Sequence, residues 1–267
     1  MRRRSVELKT DHEEEKMKLI DLSVPLEENA FAEPFPMSIV PHSHTESAKS
    51  MAARLGLKPS DFNDSMSLTH EDFSGQFHCG THVDAPFHFG PIVEGKPAKG
   101  IDEVPLDWFF QDGVRLDVRH VGSNELITVA DIKQALAEIA YTLKPMDIVL
   151  IWTDYDKLIY TEKYLKEQPG MSREATEFIL DQGVKVIGID AYGFDRSFGY
   201  QAQAYKRGEI KELFPGHMVG RDREYVHMEK LGNLDQLPTA TGYKVACFPV
   251  KAKGATAGQT RVVAIYD

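Results

Sequence analysis

Two helix patterns, each followed by a short and continuous apolar run, constrain the fold of this chain most strongly. Thr128–Tyr141 places its apolar residues on one helical face, and the run Ile148–Thr153 follows it. Ser172–Gln182 has the same character and leads into Val184–Ile189. Continuous runs of Val and Ile are typical of strands that are buried on both faces. This alternation predicts an α/β domain in which helices pack on a sheet.

Four further apolar runs predict additional strands: Leu19–Val24, Val114–Val118, Val245–Val250 and Val262–Tyr266. A chain of 267 residues is long enough to bury a core of its own, and no internal repeat or low-complexity linker divides it. We therefore predict one domain over residues 17–267. The charged residues 1–16 are expected to form a peripheral extension, which leaves open whether Met17 is the true start.

The charge and the composition exclude several classes of protein. The formal net charge of −10 disfavours nucleic acid as a partner, because phosphate contacts need clustered Lys and Arg. No apolar stretch approaches the ~18 residues of a membrane-spanning helix. Two cysteines cannot form a disulfide framework, and no signal-peptide-like apolar segment follows the basic N-terminus. We expect a cytoplasmic protein that binds neither nucleic acid nor membranes.

The histidines within residues 78–88 are the most informative chemical feature, in the order His-Cys-Gly-Thr-His-Val-Asp-Ala-Pro-Phe-His. In an extended strand His78, His82 and Asp84 would point to the same face, whereas the glycine and the proline disfavour a helix. Two imidazoles and a carboxylate suit Zn²⁺, Mn²⁺ or a similar cation. His88 follows a proline turn, so it can fold back over such a site without being a ligand.

This stretch resembles the His-x-Gly-Thr-His-x-Asp-x-Pro-x-His-Phe signature of the cyclase-like metal-dependent hydrolases. That family includes the bacterial arylformamidase of tryptophan catabolism, which forms kynurenine, and isatin hydrolase. Residues 78–89 match every fixed position of the signature, and residues 21–26 and 101–106 look like further family segments. The resemblance implies a domain of the swivelling β/β/α type, in which helices flank a mixed, partly barrel-like sheet.

The resemblance also implies the remaining ligands. The family's second-half ligands are a His and a Glu twelve residues apart, which matches His217 and Glu229. His227 lies only two residues before Glu229 and does not fit that spacing. Two divalent ions are then expected, Zn²⁺ first and Mn²⁺ second, held by His78, His82, Asp84 and Glu229, and by Asp84, His217 and Glu229.

The implied activity is hydrolysis of a C–N amide-type bond in a small substrate by metal-activated water. By the same resemblance, His88 is the catalytic base that transfers a proton to the leaving amine. Phe35 is the expected substrate contact, because Phe35-Pro36 follows the first strand where arylformamidases carry a Trp-Pro pair. Conversion of N-formylkynurenine to kynurenine is one candidate reaction.

Two alternatives remain open at this stage. The first is a hydrolase or cyclase of a cyclic amide or lactone, such as an isatin-like compound. The second is a catalytically silent metal-binding protein, which would need every coordination position filled by protein. The family is commonly oligomeric, so a homodimer or homotetramer is expected. Residues 194–223, rich in Tyr, Arg and Lys, are interpreted as a lid, an oligomer arm or surface elaboration.

Overall fold

The structure is a computed structural model that describes residues 17–266. The charged extension predicted at residues 1–16 lies outside the described residues. The strands of the described part are, in chain order, β1 (Lys18–Asp21), β2 (Ser38–Pro41), β3 (Glu71–Ser74), β4 (His82–Asp84), β5 (Ile92–Val93), β6 (Lys96–Pro97), β7 (Phe110–Asp117), β8 (Leu126–Ile127), β9 (Ile148–Trp152), β10 (Gly170–Met171), β11 (Val186–Ile189), β12 (Val226–Glu229), β13 (Lys244–Ala246), β14 (Ala257–Gln259) and β15 (Val263–Tyr266).

The helices are short. In chain order they are α1 (His44–Leu55), α2 (Pro86–Phe89), α3 (Val129–Glu138), α4 (Glu162–Lys166), α5 (Arg173–Leu180), α6 (Phe198–Lys206) and α7 (Pro215–Met218). Across residues 17–266 none of these helices combines the length and the apolar character that crossing a bilayer requires.

One curled sheet organises the described part of the chain. Nine strands form it in the order β1-β15-β13-β7-β9-β11-β12-β4-β14. Strands β7, β9, β11 and β12 pair in parallel, whereas the flanking pairs are antiparallel. The sheet is therefore mixed and curls into a half-barrel with helices against it. This confirms the predicted α/β fold with a partly barrel-like sheet.

The central strand β9 explains why the predicted runs of Val and Ile are continuous. All five of its residues are buried, because its alternate side chains enter two different cores. Ile148 and Leu150 join a cluster on one face of the sheet. Val149 and Ile151 pack on the other face, where Ile132 and other helical residues cover them. A strand covered on both sides cannot show a polar face.

The two predicted helices begin where their capping residues lie. The Thr128 side chain accepts a hydrogen bond from the backbone N–H of Asp131, and a capping box starts α3. The Ser172 side chain caps α5 in the same way. Helix α3 ends three residues before the predicted Tyr141, since Ala140 adopts a positive φ of 49° that interrupts the helix.

Asp190, directly after β11, fixes the end of the neighbouring strand β9. Its carboxylate is completely buried. It accepts hydrogen bonds from the Thr153 backbone N–H at 2.8 Å and from the Thr153 hydroxyl at 2.5 Å. The Asp154 backbone N–H donates a third bond at 2.9 Å. The chain can therefore leave β9 with its backbone donors satisfied.

The substitution Asp190→Ala is expected to lower the free energy of unfolding by about 2–4 kcal/mol, because it leaves two buried donors of Thr153 and one half-buried donor of Asp154 without an acceptor. Denaturant unfolding measures this loss. The control Asp181→Ala removes only an exposed ion pair with Arg223 and should cost about 0.5 kcal/mol or less. Equal losses in the two variants would contradict the anchoring role of Asp190.

Candidate active site

Two adjacent antiparallel strands place four ionisable side chains on one face of the sheet. His82 and Asp84 lie two residues apart on β4, and His227 and Glu229 lie two residues apart on β12. Alternation along a strand points each pair to one side. The register sets His227 opposite Asp84 and Glu229 opposite His82, and all four residues are buried. The four side chains therefore converge.

The Asp84 carboxylate lies at the centre of this group. Nε2 of His227 is 3.0 Å from Oδ2 of Asp84, and Nε2 of His82 is 3.2 Å from Oδ1. Glu229 closes the group from the other strand. Its Oε1 lies 3.4 Å from Nε2 of His227, and its Oε2 lies 3.7 Å from Nε2 of His82. Each carboxylate thus contacts both imidazoles.

Three more imidazoles reach the same carboxylates from segments outside the two strands. Nδ1 of His78 lies 2.8 Å from Oδ1 of Asp84. From helix α7, Nε2 of His217 lies 3.7 Å from Oδ2 of Asp84 and 3.5 Å from Oε1 of Glu229. From helix α2, Nε2 of His88 lies 3.7 Å from Oδ2 of Asp84. The structure thus brings together all six ligand and catalytic residues predicted from the sequence.

The prediction that His78 shares a strand face with the other ligands is wrong in its local geometry. The strand begins only at His82, and His78 lies in the turn before it. Gly80 turns the chain with a φ of 61°, a left-handed conformation that glycine adopts without strain. His78 therefore reaches Asp84 from the side rather than along the strand.

The hydrogen bonds of two imidazoles fix which nitrogen faces the centre. Nδ1 of His82 lies 2.9 Å from the Gly80 carbonyl, which can only accept, so Nδ1 carries the proton. The Tyr225 hydroxyl donates its proton to the Gly216 carbonyl at 3.1 Å. It therefore accepts from Nδ1 of His227 at 3.2 Å. Nε2 is therefore the nitrogen through which each ring can bind a cation beside Asp84.

Asp195 orients His217 in the same way. Its Oδ2 lies 2.5 Å from Nδ1 of His217, and its carboxylate also accepts the backbone N–H groups of Gly216 and His217. Burial lowers the pKa of His217, but the Asp195 carboxylate outweighs it and raises the pKa well above the usual value. A carboxylate behind an imidazole holds the ring in place, as is common behind metal ligands.

The unpaired atoms at the centre of the site fit a cation. Both carboxylate oxygens of Asp84 and the Nε2 atoms of His82 and His227 are buried and have no hydrogen-bond partner. Lone pairs that face each other in a buried site need positive charge between them. Nitrogen and carboxylate donors suit Zn²⁺ and Mn²⁺. Asp84 belongs to two groups able to hold an ion: His78, His82 and Asp84, and Asp84, His217, His227 and Glu229.

The charge states of the site follow from its burial and its neighbours. Burial opposes ionisation of Asp84, but the surrounding imidazoles, His82 first, hold its pKa well below the usual value. The pKa of Glu229 is lowered to about 2 against the effect of burial, chiefly by the His227 imidazole beside it. Burial lowers the pKa of His88 to about 4. Both carboxylates are thus ionised at neutral pH, and His88 is neutral.

A cavity of about 710 Å³ opens beside this cluster. Asp84, His88 and Glu229 line its floor. Its aromatic lining residues are Phe35, Phe77, Phe89, Tyr192, Phe198 and Phe214. The predicted contact Phe35 is therefore part of the wall. Residues 194–223 contribute another part through α6 and α7, so this segment lines the cavity.

The structure places two further residues at the site that the sequence did not predict. His227 was set aside because its spacing from Glu229 did not match, although the structure brings both it and His217 to the carboxylates. A signal was present, since His-x-Glu at 227–229 repeats the strand alternation of His-x-Asp at 82–84. Asp195 had no comparable signal, because its contact with His217 is made only in the folded chain.

Comparisons with known proteins agree with this architecture. Residues 20–196 match the family described as putative cyclase. Kynurenine formamidase of Paracidovorax citrulli (strain AAC00-1) is 28% identical over 186 residues, which cover 70% of this chain and 74% of that protein.

Similar solved structures share the fold at low sequence identity. An isatin hydrolase bound to the product analogue thioisatinate has a TM-score of 0.72 at 21% identity, over 93% of this chain and 92% of its own. Isatin hydrolase A from Ralstonia solanacearum has a TM-score of 0.71 at 22% identity, over 94% and 92%. A potential metal-dependent hydrolase with cyclase activity has a TM-score of 0.61 at 21% identity, over 94% and 99%.

The variant Asp84→Ala is expected to lose bound metal, because it removes the carboxylate common to both groups of candidate ligands. Elemental analysis of the purified, folded variant measures the loss, and Asp181→Ala at the surface should retain the wild-type content. Full metal occupancy in folded Asp84→Ala would refute the central position assigned to this residue.

Proposed function

The chain belongs to the putative cyclase family, and from this premise we propose that it is a metal-dependent hydrolase that cleaves a C–N amide-type bond of a small aromatic substrate. One observation carries the proposal: imidazoles surround two buried carboxylates on the floor of an aromatic cavity. The names of its relatives, kynurenine formamidase and isatin hydrolase, support a hydrolase.

The proposed metal ligands follow the two groups that share Asp84. His78, His82 and Asp84 would hold one ion, and Asp84 would hold a second together with His217, His227 and Glu229. When bound, divalent cations would polarise a substrate carbonyl and lower the pKa of water. Zn²⁺ is the first candidate, and Mn²⁺ suits the same nitrogen and oxygen donors.

His88 is proposed as the proton carrier because its side chain faces the cavity and is not needed as a metal ligand. Its side chain is 33% exposed, lines the cavity, and is absent from both groups of candidate ligands. Burial lowers the pKa of His88, so its ring is neutral and can accept a proton from water. The same ring can return that proton to the leaving nitrogen. A closed structural metal site would need no such residue, which argues against a catalytically silent protein.

The loop that carries Phe35 is tied to the ligand-bearing strands by a buried ion pair. Nζ of Lys230 lies 2.7 Å from Oε2 of Glu33 and donates to the His78 carbonyl at 2.9 Å. The other oxygen of Glu33 accepts the Gly80 backbone N–H at 2.6 Å. This network holds Phe35 beside the metal ligands, where its ring can stack on an aryl group.

Two substrates therefore come first: N-formylkynurenine, followed by an isatin-like cyclic amide. Both combine an aryl ring, for the aromatic wall, with a C–N bond that can reach the floor. A homo-oligomeric state and a cytoplasmic location stay predictions.

The variant His88→Ala is expected to keep its metal and to lose turnover by about 10²–10⁴-fold, which is the range of general acid–base catalysis. Steady-state kinetics and metal analysis of the same preparation separate the two effects. His120→Ala is the matched control, since His120 pairs with Asp131 at the surface and lies outside the cavity. Near-wild-type turnover in metal-replete His88→Ala would remove it from the mechanism.

A hydrolysis screen tests the substrate class. We expect the metal-replete protein to hydrolyse N-formylkynurenine or isatin faster than lactones or aliphatic amides, because the wall of the cavity is aromatic. Chelation should abolish this activity, and Zn²⁺ or Mn²⁺ should restore it. Preference for a non-aromatic lactone would instead favour the alternative activity, and metal-replete protein inactive on every compound would favour a silent metal binder.

A further inference from the structure

We propose that the antiparallel strand pair β2 and β3 carries a separate binding site for a divalent transition-metal ion, with His42, His70 and Asp72 as its ligands. This pair is called the hairpin below, although its connection is long and contains α1. These residues lie outside the catalytic cavity. The site is independent of the proposed hydrolase activity, and its ligand would be Zn²⁺ or a similar borderline cation that prefers imidazole and carboxylate donors.

The hairpin register places the three side chains on one face. Its last pairs are Val40 with Asp72 and Pro41 with Glu71. One step beyond, the His42 backbone N–H donates to the His70 carbonyl at 3.0 Å, so the two histidines are cross-strand neighbours. Asp72 lies two residues after His70 and therefore points to the same side as His70.

The distances are those of a site that needs little movement to bind an ion. Nε2 of His42 lies 2.9 Å from Oδ2 of Asp72. The rings of His42 and His70 are stacked, with centroids 4.6 Å apart and an interplanar angle of 21°. One donor atom from each of the three residues lies within 4.8 Å of the others. In a tetrahedral zinc site neighbouring donor atoms are about 3.4 Å apart, so shifts on the order of 1 Å suffice.

An ordinary surface ion pair does not account for the whole arrangement. His120 and Asp131 form such a pair at 2.8 Å, and no group of three potential ligands includes them among the described residues. The hairpin adds a second imidazole to the same geometry. In the catalytic cluster too, a His-x-Asp segment meets an imidazole from the adjacent antiparallel strand, but that imidazole lies opposite Asp84 there and opposite His70 here.

The exposure of these side chains determines how tightly the site would hold an ion. The side chain of Asp72 is 74% exposed and that of His42 is 34% exposed. Water can therefore complete the coordination, and the ion would exchange more readily than one in the buried catalytic cluster.

A bound ion would cross-link the two strands that lie next to the cavity wall. Phe35 lies just before β2 and Phe77 just after β3, and both line the cavity. The ion would join His42 to Asp72, which are 30 residues apart in sequence, across the excursion that contains α1. Because the three ligands meet only in the folded hairpin, binding stabilises that hairpin by mass action.

Titration of Zn²⁺ into the full-length protein tests the proposal, with the metal bound at equilibrium counted for wild type, His70→Ala, Asp72→Asn and the control His120→Ala. We expect the wild type and His120→Ala to bind one equivalent more than His70→Ala and Asp72→Asn. The proposal is equally supported if the two hairpin variants still bind this equivalent of Zn²⁺ but with an affinity weakened by more than about tenfold. Hydrogen exchange should show that Zn²⁺ protects β2 and β3 in the wild type and not in His70→Ala.

Two results would overturn the proposal. One is a folded His70→Ala or Asp72→Asn that binds as many equivalents as the wild type with unchanged affinity. The other is a loss of the extra equivalent in His120→Ala. The far-ultraviolet circular dichroism spectrum of each variant serves as the check on folding, so the test does not depend on the proposed hydrolase activity.

Discussion

The antiparallel register between β4 and β12 is the constraint on which the site depends. It sets His82 opposite Glu229 and Asp84 opposite His227, so two short strands deliver four converging side chains. A slip of one residue would turn one pair to the opposite face of the sheet and dismantle the cluster. The buried strands β9 and β11 hold β12 in place, and β14 holds β4 from its other edge.

Burial of like charges is the energetic cost of this register. Asp84 and Glu229 are both ionised and both buried, and Asp195 adds a third carboxylate behind His217. Oriented imidazoles offset part of the repulsion. Divalent cations would supply the remaining positive charge, so their binding would stabilise the fold as well as the reaction.

The sequence predicted what depends on local pattern. The helix–strand alternation indicated the fold class, because capping residues and continuous apolar runs are local properties of the chain. The resemblance of residues 78–89 led to His78, His82, Asp84 and His88, since one short segment carries all four. Its twelve-residue spacing led to His217 and Glu229.

The remaining features depend on contacts between distant segments. His227 joins the cluster through its pairing with Asp84, and Asp195 joins it through its bond to His217. Both contacts are made only in the folded chain. Because of the turn at Gly80, His78 approaches Asp84 from outside the strand, but it still contacts Asp84 as predicted. The sequence can therefore indicate which residues belong to the site before it shows which residues contact each other, because strand register and packing determine those contacts.

Anomalous diffraction from crystals of the metal-loaded protein is the measurement that tests this account most directly. We predict peaks beside Asp84, with Nε2 of His82, His217 and His227 directed at them and Glu229 as the second carboxylate. Metal-loaded crystals without anomalous density at Asp84, or with the Nε2 atoms of His82 and His227 turned away from it, would contradict the account.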